Sequence, residues 1–152
     1  MFDECEDLES LNVSNWNFSG IDSYNSFSHF FPGDSEKKLN NITYNNIICG
    51  TMFPEAFVED LTIYCNLNGK LDLSSWNVNN VTNMDGCLNA LNCTELDLSN
   101  WDVSNVTSMN DLFAYGDLEK IYVSDIFEEK FNEISNYNEE GKTDWMSKFI
   151  KE

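Results

Sequence analysis

The most regular feature of the chain is a pattern of apolar and polar positions that recurs every 25 residues. Residues 71–88 read LDLSSWNVNNVTNMDGCL, and residues 96–113 read LDLSNWDVSNVTSMNDLF. In both copies the opening triplet Leu-Asp-Leu alternates apolar and polar residues, which predicts a half-buried strand. A repeat of this length indicates stacked units that share one continuous core, because no unit can bury its own apolar face.

Other stretches fit the same template less closely. Residues 121–126 read IYVSDI and predict a partial copy, and residues 11–27 read LNVSNWNFSGIDSYNSF and predict an early one. A degenerate copy is predicted to start near Leu39, with Tyr44 at the tryptophan position and Met52 at the methionine position. The template also predicts tryptophans stacked in register, at Trp16, Trp76 and Trp101.

Local signals predict how each unit continues after its strand. Thr82 and Ser108 each precede an aspartate by three residues, the pattern of a helix N-cap. Residues 84–88 and 109–113 then carry the apolar face of a helix of about one and a half turns. Each unit is therefore predicted to run strand, turn, short helix. In the insertion between the second and third copies, Asn68-Gly69 lies between alternating apolar runs and predicts a β-hairpin.

The C-terminal segment predicts two helices that close the last apolar layer. Ser124 is the N-cap expected for the first, which has an apolar stripe at Ile126, Phe127, Phe131 and Ile134. Thr143 is the N-cap expected for the second, which has apolar residues at Trp145, Met146, Phe149 and Ile150. We interpret both as caps of the repeat stack. The alternative is a helix that binds a groove in a partner.

These elements predict an α/β repeat protein with three parts. Residues 1–10 form an acidic N-terminal segment. Residues 11–123 form a short solenoid with repeats starting near 11, 39, 71 and 96, a partial one at 121, and short helices on one face. The resemblance described next implies that this is a leucine-rich-repeat solenoid with a parallel sheet on the other face. Residues 124–152 form a helical C-terminal cap.

The segments LDLSNWDVSNVTSMNDLF and IYVSD resemble the BspA-type leucine-rich repeats of bacterial surface proteins and of related mycoplasma lipoproteins. The resemblance extends over about residues 8–126. It implies a curved solenoid with a parallel sheet on one face, and a role in adhesion or in binding host or microbial macromolecules. It brings no catalytic residues with it.

The charge of the chain is strongly negative. Eight Lys+Arg residues, none of them arginine, stand against 27 Asp+Glu, which gives a net charge of −19. Such a chain repels nucleic acid and anionic lipid and attracts a basic protein. The alternative is that the acids only keep the surface solvated.

Two acidic segments and two repeat positions are candidates for binding a partner. If the fold brings either segment beside the repeat aspartates, the carboxylates form a negative strip that imitates a phosphate backbone. The candidate residues are Asp72, Asp97, Asp3, Glu4, Glu6, Asp7, Glu9, Glu128 and Glu129.

Little in the sequence supports catalysis or a cofactor. His29 is the single histidine and lies among aromatic residues, where packing is its expected role. The five cysteines include no CxxC pair, so we expect reduced thiols, no metal and no cofactor. Asparagines at fixed repeat positions are expected to hydrogen-bond the turns.

Two functions remain open. The N-terminus has no secretory signal and no apolar run is long enough to span a membrane, so we expect a cytoplasmic protein of a bacterial host. The first hypothesis is an acidic inhibitor that blocks the basic nucleic-acid-binding site of a partner, such as a defence nuclease targeted by a phage, in the manner of an anti-CRISPR decoy. The second is an adhesion or ligand-binding module excised from a bacterial surface protein.

Overall fold

The described part of the chain folds into six short strands and three helices. A computed structural model describes residues 2, 5, 7–21, 41–64 and 69–151. In chain order the elements are β1 (Ser10–Asn12), β2 (Asn41–Thr43), α1 (Glu55–Tyr64), β3 (Lys70–Asp72), β4 (Glu95–Asp97), β5 (Lys120–Val123), α2 (Asp125–Ile134), α3 (Glu139–Ser147) and β6 (Phe149–Lys151). Strands β1 and β2 pair in parallel, and β3 to β6 form a parallel sheet in chain order.

The strand register pairs the residues that the 25-residue period aligns. Leu71 lies beside Leu96, and Leu96 beside Ile121. All three side chains are fully buried. Isolated bridges from Asn17 to Ile48 and from Ile48 to Asn77 connect the β1–β2 pair to the copy that contains β3. Neighbouring copies are therefore joined by backbone pairing along the chain.

The core consists of the apolar positions of the repeat. In the copies that begin at 71 and 96, both leucines of the opening triplet, the tryptophan, both valines and the methionine are buried. The indole Nε1 of Trp101 donates to the Leu73 carbonyl at 2.8 Å, and that of Trp76 donates to the Tyr44 carbonyl at 2.7 Å. The Phe53 ring lies 5.4 Å from the Trp101 ring and 6.1 Å from the Trp76 ring. These two tryptophans hold equivalent places, whereas Trp16 is only partly buried.

The predicted register of the second copy is wrong. Strand β2 pairs Ile42 with Leu11, so the strand begins later than the predicted start near Leu39, which lies outside the described residues. Tyr44 is the first residue after β2, so it is equivalent to Leu73, the first residue after β3. Because Ile48 pairs with Asn77, the buried Ile47 is equivalent to Trp76. The two copies before β3 are longer than the 25-residue unit, so an aromatic residue at the expected spacing misled the alignment.

The short helices predicted within the repeats are also wrong. Residues 85–90 and 110–115 form turns. Four N–H groups of the first turn region donate to carbonyls of the next copy at 2.7–3.1 Å: Met84 to Ser108, Gly86 to Asn110, Leu88 to Leu112 and Ala90 to Ala114. Because these amides are used between copies, they are not available for the bonds within a helix.

The insertion before β3 contains a helix instead of the predicted hairpin. Residues 61–64, which read LTIY, form the last turn of α1, and Phe57 and Leu61 of this helix are fully buried. Strand β3 pairs in parallel with β4, so the segment after Gly69 belongs to the repeat sheet. Asn68 lies outside the described residues.

The C-terminal segment is a cap of two helices and one strand. Ser124 caps α2 as predicted, since its hydroxyl accepts from the Phe127 N–H. Helix α3 begins after Asn138 rather than Thr143, because the Asn138 side chain accepts from the Gly141 N–H at 2.8 Å. The expected helical stripe at Phe149 and Ile150 is strand β6, which continues the sheet beside β5. The prediction of an entirely helical cap is therefore wrong.

Candidate partner-binding surfaces

The repeat aspartates Asp72 and Asp97 lie side by side on β3 and β4, but they differ in exposure. Each carboxylate accepts from the N–H and the hydroxyl of the serine two residues later, at 2.7–3.1 Å. Asp72 is exposed, whereas Asp97 is only 6% exposed. The expectation that both face solvent is wrong for Asp97, because Lys70 from the neighbouring strand covers its carboxylate with an ion pair of 3.0 Å.

Positive charges on the same sheet face offset the carboxylates. Lys70 also lies 4.7 Å from the centroid of the Tyr122 ring, and Lys120 pairs with Glu95 at 2.8 Å. Burial raises the pKa of Asp97, but hydrogen bonds from Ser99 and Lys70 together outweigh it and hold that pKa below its usual value. With two lysines among three carboxylates, this face does not form the predicted negative strip.

Polar side chains at fixed repeat positions hydrogen-bond the backbone of the turns. At seven places in the described ranges, an Asn or Asp side chain accepts from the backbone N–H two residues later: Asn12, Asn17, Asp72, Asn77, Asn83, Asp97 and Asp102. This bond closes a tight turn that Asn and Asp favour. Asn105 Nδ2 additionally donates to the Asn79 carbonyl of the preceding copy, as expected for repeat asparagines. The aspartates of the triplet therefore shape turns as well as carrying charge.

The described acids near the two ends of the chain lie at opposite ends of the row of repeats. Asp7 and Glu9 are exposed beside β1, the first strand, and Asp3, Glu4 and Glu6 lie outside the described residues. Glu128 and Glu129 lie on α2, which follows β5 near the other end of the stack. The candidates that the structure describes therefore fall into three separate groups rather than one surface.

Carboxylates without ionic partners are found on the cap. Within the described residues, five acidic side chains on α2 and α3 make no ion pair and no hydrogen bond: Glu129, Glu133, Glu139, Glu140 and Asp144. All five are exposed. By contrast, Glu128 is paired with Lys151, which also contacts Asp125 at 2.9 Å.

The cap lysines explain why these carboxylates lack partners. Lys142 donates to the Asn132 carbonyl at 2.7 Å, Lys130 donates to the Val106 carbonyl at 3.4 Å, and Lys148 lies 4.2 Å from the centroid of the Trp145 ring. Three lysines are thus directed to carbonyls or to a ring instead of to carboxylates. From the sequence, Glu133, Glu139 and Glu140 belong to the same acidic segment as Glu129, but only Glu129 of the five was selected as a candidate. Asp144 was missed. The lysine contacts that set these five carboxylates apart depend on the fold.

Three described cysteines are unsuited to nucleophilic chemistry. Cys49, Cys87 and Cys93 are buried. Burial raises the pKa of Cys49 to about 12 and that of Cys93 to about 11, and it also raises the pKa of Cys87. Their thiols are protonated at neutral pH, and the thiolate is the reactive form. Cys65 and His29 lie outside the described part of the chain.

Metal-binding clusters and membrane-spanning helices are both absent from the described residues. These residues contain no group of three or more His, Cys, Asp or Glu side chains able to hold a metal ion. None of their helices has the length and apolar content needed to cross a bilayer.

Comparison with known proteins gives one family. No curated protein and no solved structure matches the chain. Residues 51–151, from just before α1 to the end of β6, match the family described as "Mycoplasma protein of unknown function, DUF285". Because the match extends over more than half of the sequence, the chain belongs to the DUF285 family.

Proposed function

We propose that this chain is a short solenoid of BspA-type leucine-rich repeats that binds a basic macromolecule and catalyses no reaction. The parallel pairing of Leu71, Leu96 and Ile121 and the burial of the template residues support the solenoid. The resemblance of residues 96–113 to BspA-type repeats supports the repeat type.

The observation that carries the binding proposal is the set of five unpaired carboxylates on α2 and α3. Lys130, Lys142 and Lys148 of the cap are directed to carbonyls or to an aromatic ring, so these five carboxylates have no ion-pair partner. An uncompensated surface charge speeds encounter with an oppositely charged partner and disfavours partners of like charge. The net charge of −19 acts in the same direction over the whole molecule.

The most specific form of this proposal is an acidic inhibitor in the cytoplasm of a bacterial host. Its partner would be an enzyme with a basic nucleic-acid-binding groove, such as a nuclease of bacterial defence, and the cap would occupy that groove in place of phosphates. Phosphate contacts supply much of the affinity of such grooves and make it salt-dependent. Carboxylates on a rigid cap compete for the same lysines and arginines.

A matched pair of proteins tests this form. The chain and a variant with Glu129→Gln, Glu133→Gln, Glu139→Gln, Glu140→Gln and Asp144→Asn, the charge-neutral cap variant, are immobilised separately. Lysate of the organism that encodes the chain is applied at an ionic strength of about 0.1 M, where charges act over about 10 Å. We expect proteins held by the parent and not by the variant, released by added duplex or single-stranded nucleic acid. Equal retention by both proteins would contradict binding through the cap carboxylates.

The second candidate is an adhesion or ligand-binding module of a bacterial surface protein. The resemblance to repeats of bacterial surface proteins and mycoplasma lipoproteins favours it. An adhesin holds its ligand when nucleic acid is added, because the two do not compete. Its binding would also persist at about 1 M salt, where the screening length falls to about 3 Å. Ligands with these two properties would favour the adhesin over the inhibitor.

A further inference from the structure

Two consecutive copies of the repeat differ at three exposed positions of the same loop. The later copy has Tyr115, Asp117 and Glu119 where the earlier copy has Ala90, Asn92 and Thr94. Backbone bonds establish the equivalence, since the Ala90 N–H donates to the Ala114 carbonyl at 2.7 Å and the Glu119 N–H to the Thr94 carbonyl at 2.8 Å. One copy therefore presents an aromatic ring and two acids where its neighbour presents small or uncharged side chains.

Neither packing nor backbone conformation explains the tyrosine. Tyr115 is 94% exposed, and its side chain makes no hydrogen bond or ring contact within the described residues. Its φ is +61°, in the left-handed region that bulky residues rarely adopt. Ala90 has the same kind of backbone, with φ +49°, so an alanine is sufficient for this turn. The fold holds the ring in solvent at a conformational cost that gains no contact inside the chain.

Two acids follow Tyr115 in the same loop, two and four residues later. Asp117 and Glu119 are exposed on either side of Leu118, which is 2% exposed and anchors the loop. The nearest lysine along the chain, Lys120, is paired with Glu95 of the sheet. The loop thus carries a solvated aromatic ring and two exposed carboxylates within five residues of the chain.

We propose that Tyr115, Asp117 and Glu119 form a docking surface for an arginine side chain of a basic partner protein. A guanidinium stacks on an aromatic face more readily than an ammonium does, and its planar fork pairs with carboxylates. Tyrosine is also enriched among the residues that dominate binding energy at interfaces. The inference rests on the proposed function, in which the partner is basic, and it names the contact that selects arginine over lysine.

The test uses fluorescein-labelled octa-arginine and octa-lysine peptides, with affinity measured by fluorescence anisotropy at about 0.1 M ionic strength. We expect the parent to prefer octa-arginine by about two- to fivefold, the size of an exposed cation–π contact. Tyr115→Ala should abolish this preference, and Tyr115→Phe should keep it. The double variant Asp117→Asn with Glu119→Thr should bind both peptides more weakly than the parent does. Melting temperatures of the variants should equal that of the parent, because the replacements are those of the neighbouring copy or leave the ring intact.

A relocated ring supplies the matched control. The double variant Tyr115→Ala with Ala90→Tyr has the same amino-acid composition as the parent. Its tyrosine occupies the equivalent left-handed position of the earlier copy, where Asn92 and Thr94 replace the two acids. This protein should show no preference for octa-arginine. The inference is overturned if the relocated ring restores the preference, or if Tyr115→Ala retains it.

Different outcomes of the same measurements would contradict the proposed function. If the parent binds neither peptide, or if the charge-neutral cap variant binds both as the parent does, then attraction of a basic partner through the cap carboxylates is wrong. Salt-sensitive binding that is lost in the cap variant and unchanged in Tyr115→Ala leaves the proposed function intact and overturns only the arginine surface.

Discussion

Truncation of Trp101 is the most direct probe of the repeat core. The side chain is 1% exposed, its ring contacts Phe53, and its indole N–H donates to the Leu73 carbonyl at 2.8 Å. A buried aromatic side chain removes about 150–250 Å² from water, worth roughly 4–6 kcal/mol at about 25 cal/mol per Å². Truncations of buried aromatics to alanine cost about 3–5 kcal/mol. Loss of the indole hydrogen bond adds little to this cost, because the Leu73 carbonyl still accepts from the Trp76 N–H at 3.0 Å. We expect Trp101→Ala to lower the free energy of unfolding by about 3–5 kcal/mol.

Such a loss approaches the whole stability of an ordinary domain, roughly 5–15 kcal/mol. The free energy of unfolding is measured by urea titration followed by circular dichroism. Two variants calibrate the result: Trp101→Phe keeps an aromatic ring but loses the indole donor and part of the buried volume, and should cost about 1–2 kcal/mol. Trp16→Ala removes a partly exposed indole and should cost less than Trp101→Ala. A Trp101→Ala protein that melts within a degree or two of the parent would refute the packing and register derived above.

The remaining predictions concern charge and thiols. Asp97→Asn should lower the free energy of unfolding by about 1 kcal/mol, since it breaks a shielded ion pair whose lysine is partly solvated, whereas the exposed Asp72→Asn should change it by less than about 0.5 kcal/mol in the same urea titration. The folded pKa of Asp97 lies below its unfolded value of about 3.9, so its stabilisation is complete above that pH and is lost as the pH falls through the folded pKa. Acid titration at fixed urea should therefore destabilise the parent more than Asp97→Asn, and parallel curves would contradict this. At pH 8 the buried thiols of Cys49 and Cys93 should react with Ellman's reagent only after unfolding, as followed by peptide mapping, and fast labelling of the folded chain would exclude their burial. Native mass spectrometry without reductant should show a reduced chain that carries no metal. A bound zinc ion or a Cys87–Cys93 disulfide would contradict this prediction.

The sequence was sufficient to predict strands β3, β4 and β5 and the core positions of the copies that begin at 71 and 96. Leu71, Leu96 and Ile121 could be aligned because alternation along a strand and the 25-residue period are both local properties of the sequence. The N-cap at Ser124 could be predicted for the same reason, since a cap depends on the few residues that follow it.

Features decided by contacts between copies could not be predicted in this way. The turn at Gly86 has the composition of a helix start, but its N–H bonds to the Asn110 carbonyl of the next copy. Asp97 has the same local sequence as Asp72, and only the pairing of β3 with β4 places Lys70 over one of them. The cap carboxylates look no different from other acids until the lysines around them are seen to be directed elsewhere. Whether these surfaces bind a partner remains a prediction.

The turns that replace helices in the copies starting at 71 and 96 determine the shape of that part of the molecule. Adjacent parallel strands lie about 4.8 Å apart, whereas packed helices need about 8–10 Å, so a repeat backed by helices forms a wedge that is wider on one side. Here the turns at 85–90 and 110–115 are joined by backbone hydrogen bonds of 2.7–3.1 Å, which hold the far side at nearly the strand separation. These two units are therefore slabs of even thickness. A partner that contacts them meets a flat strip rather than a cupped one.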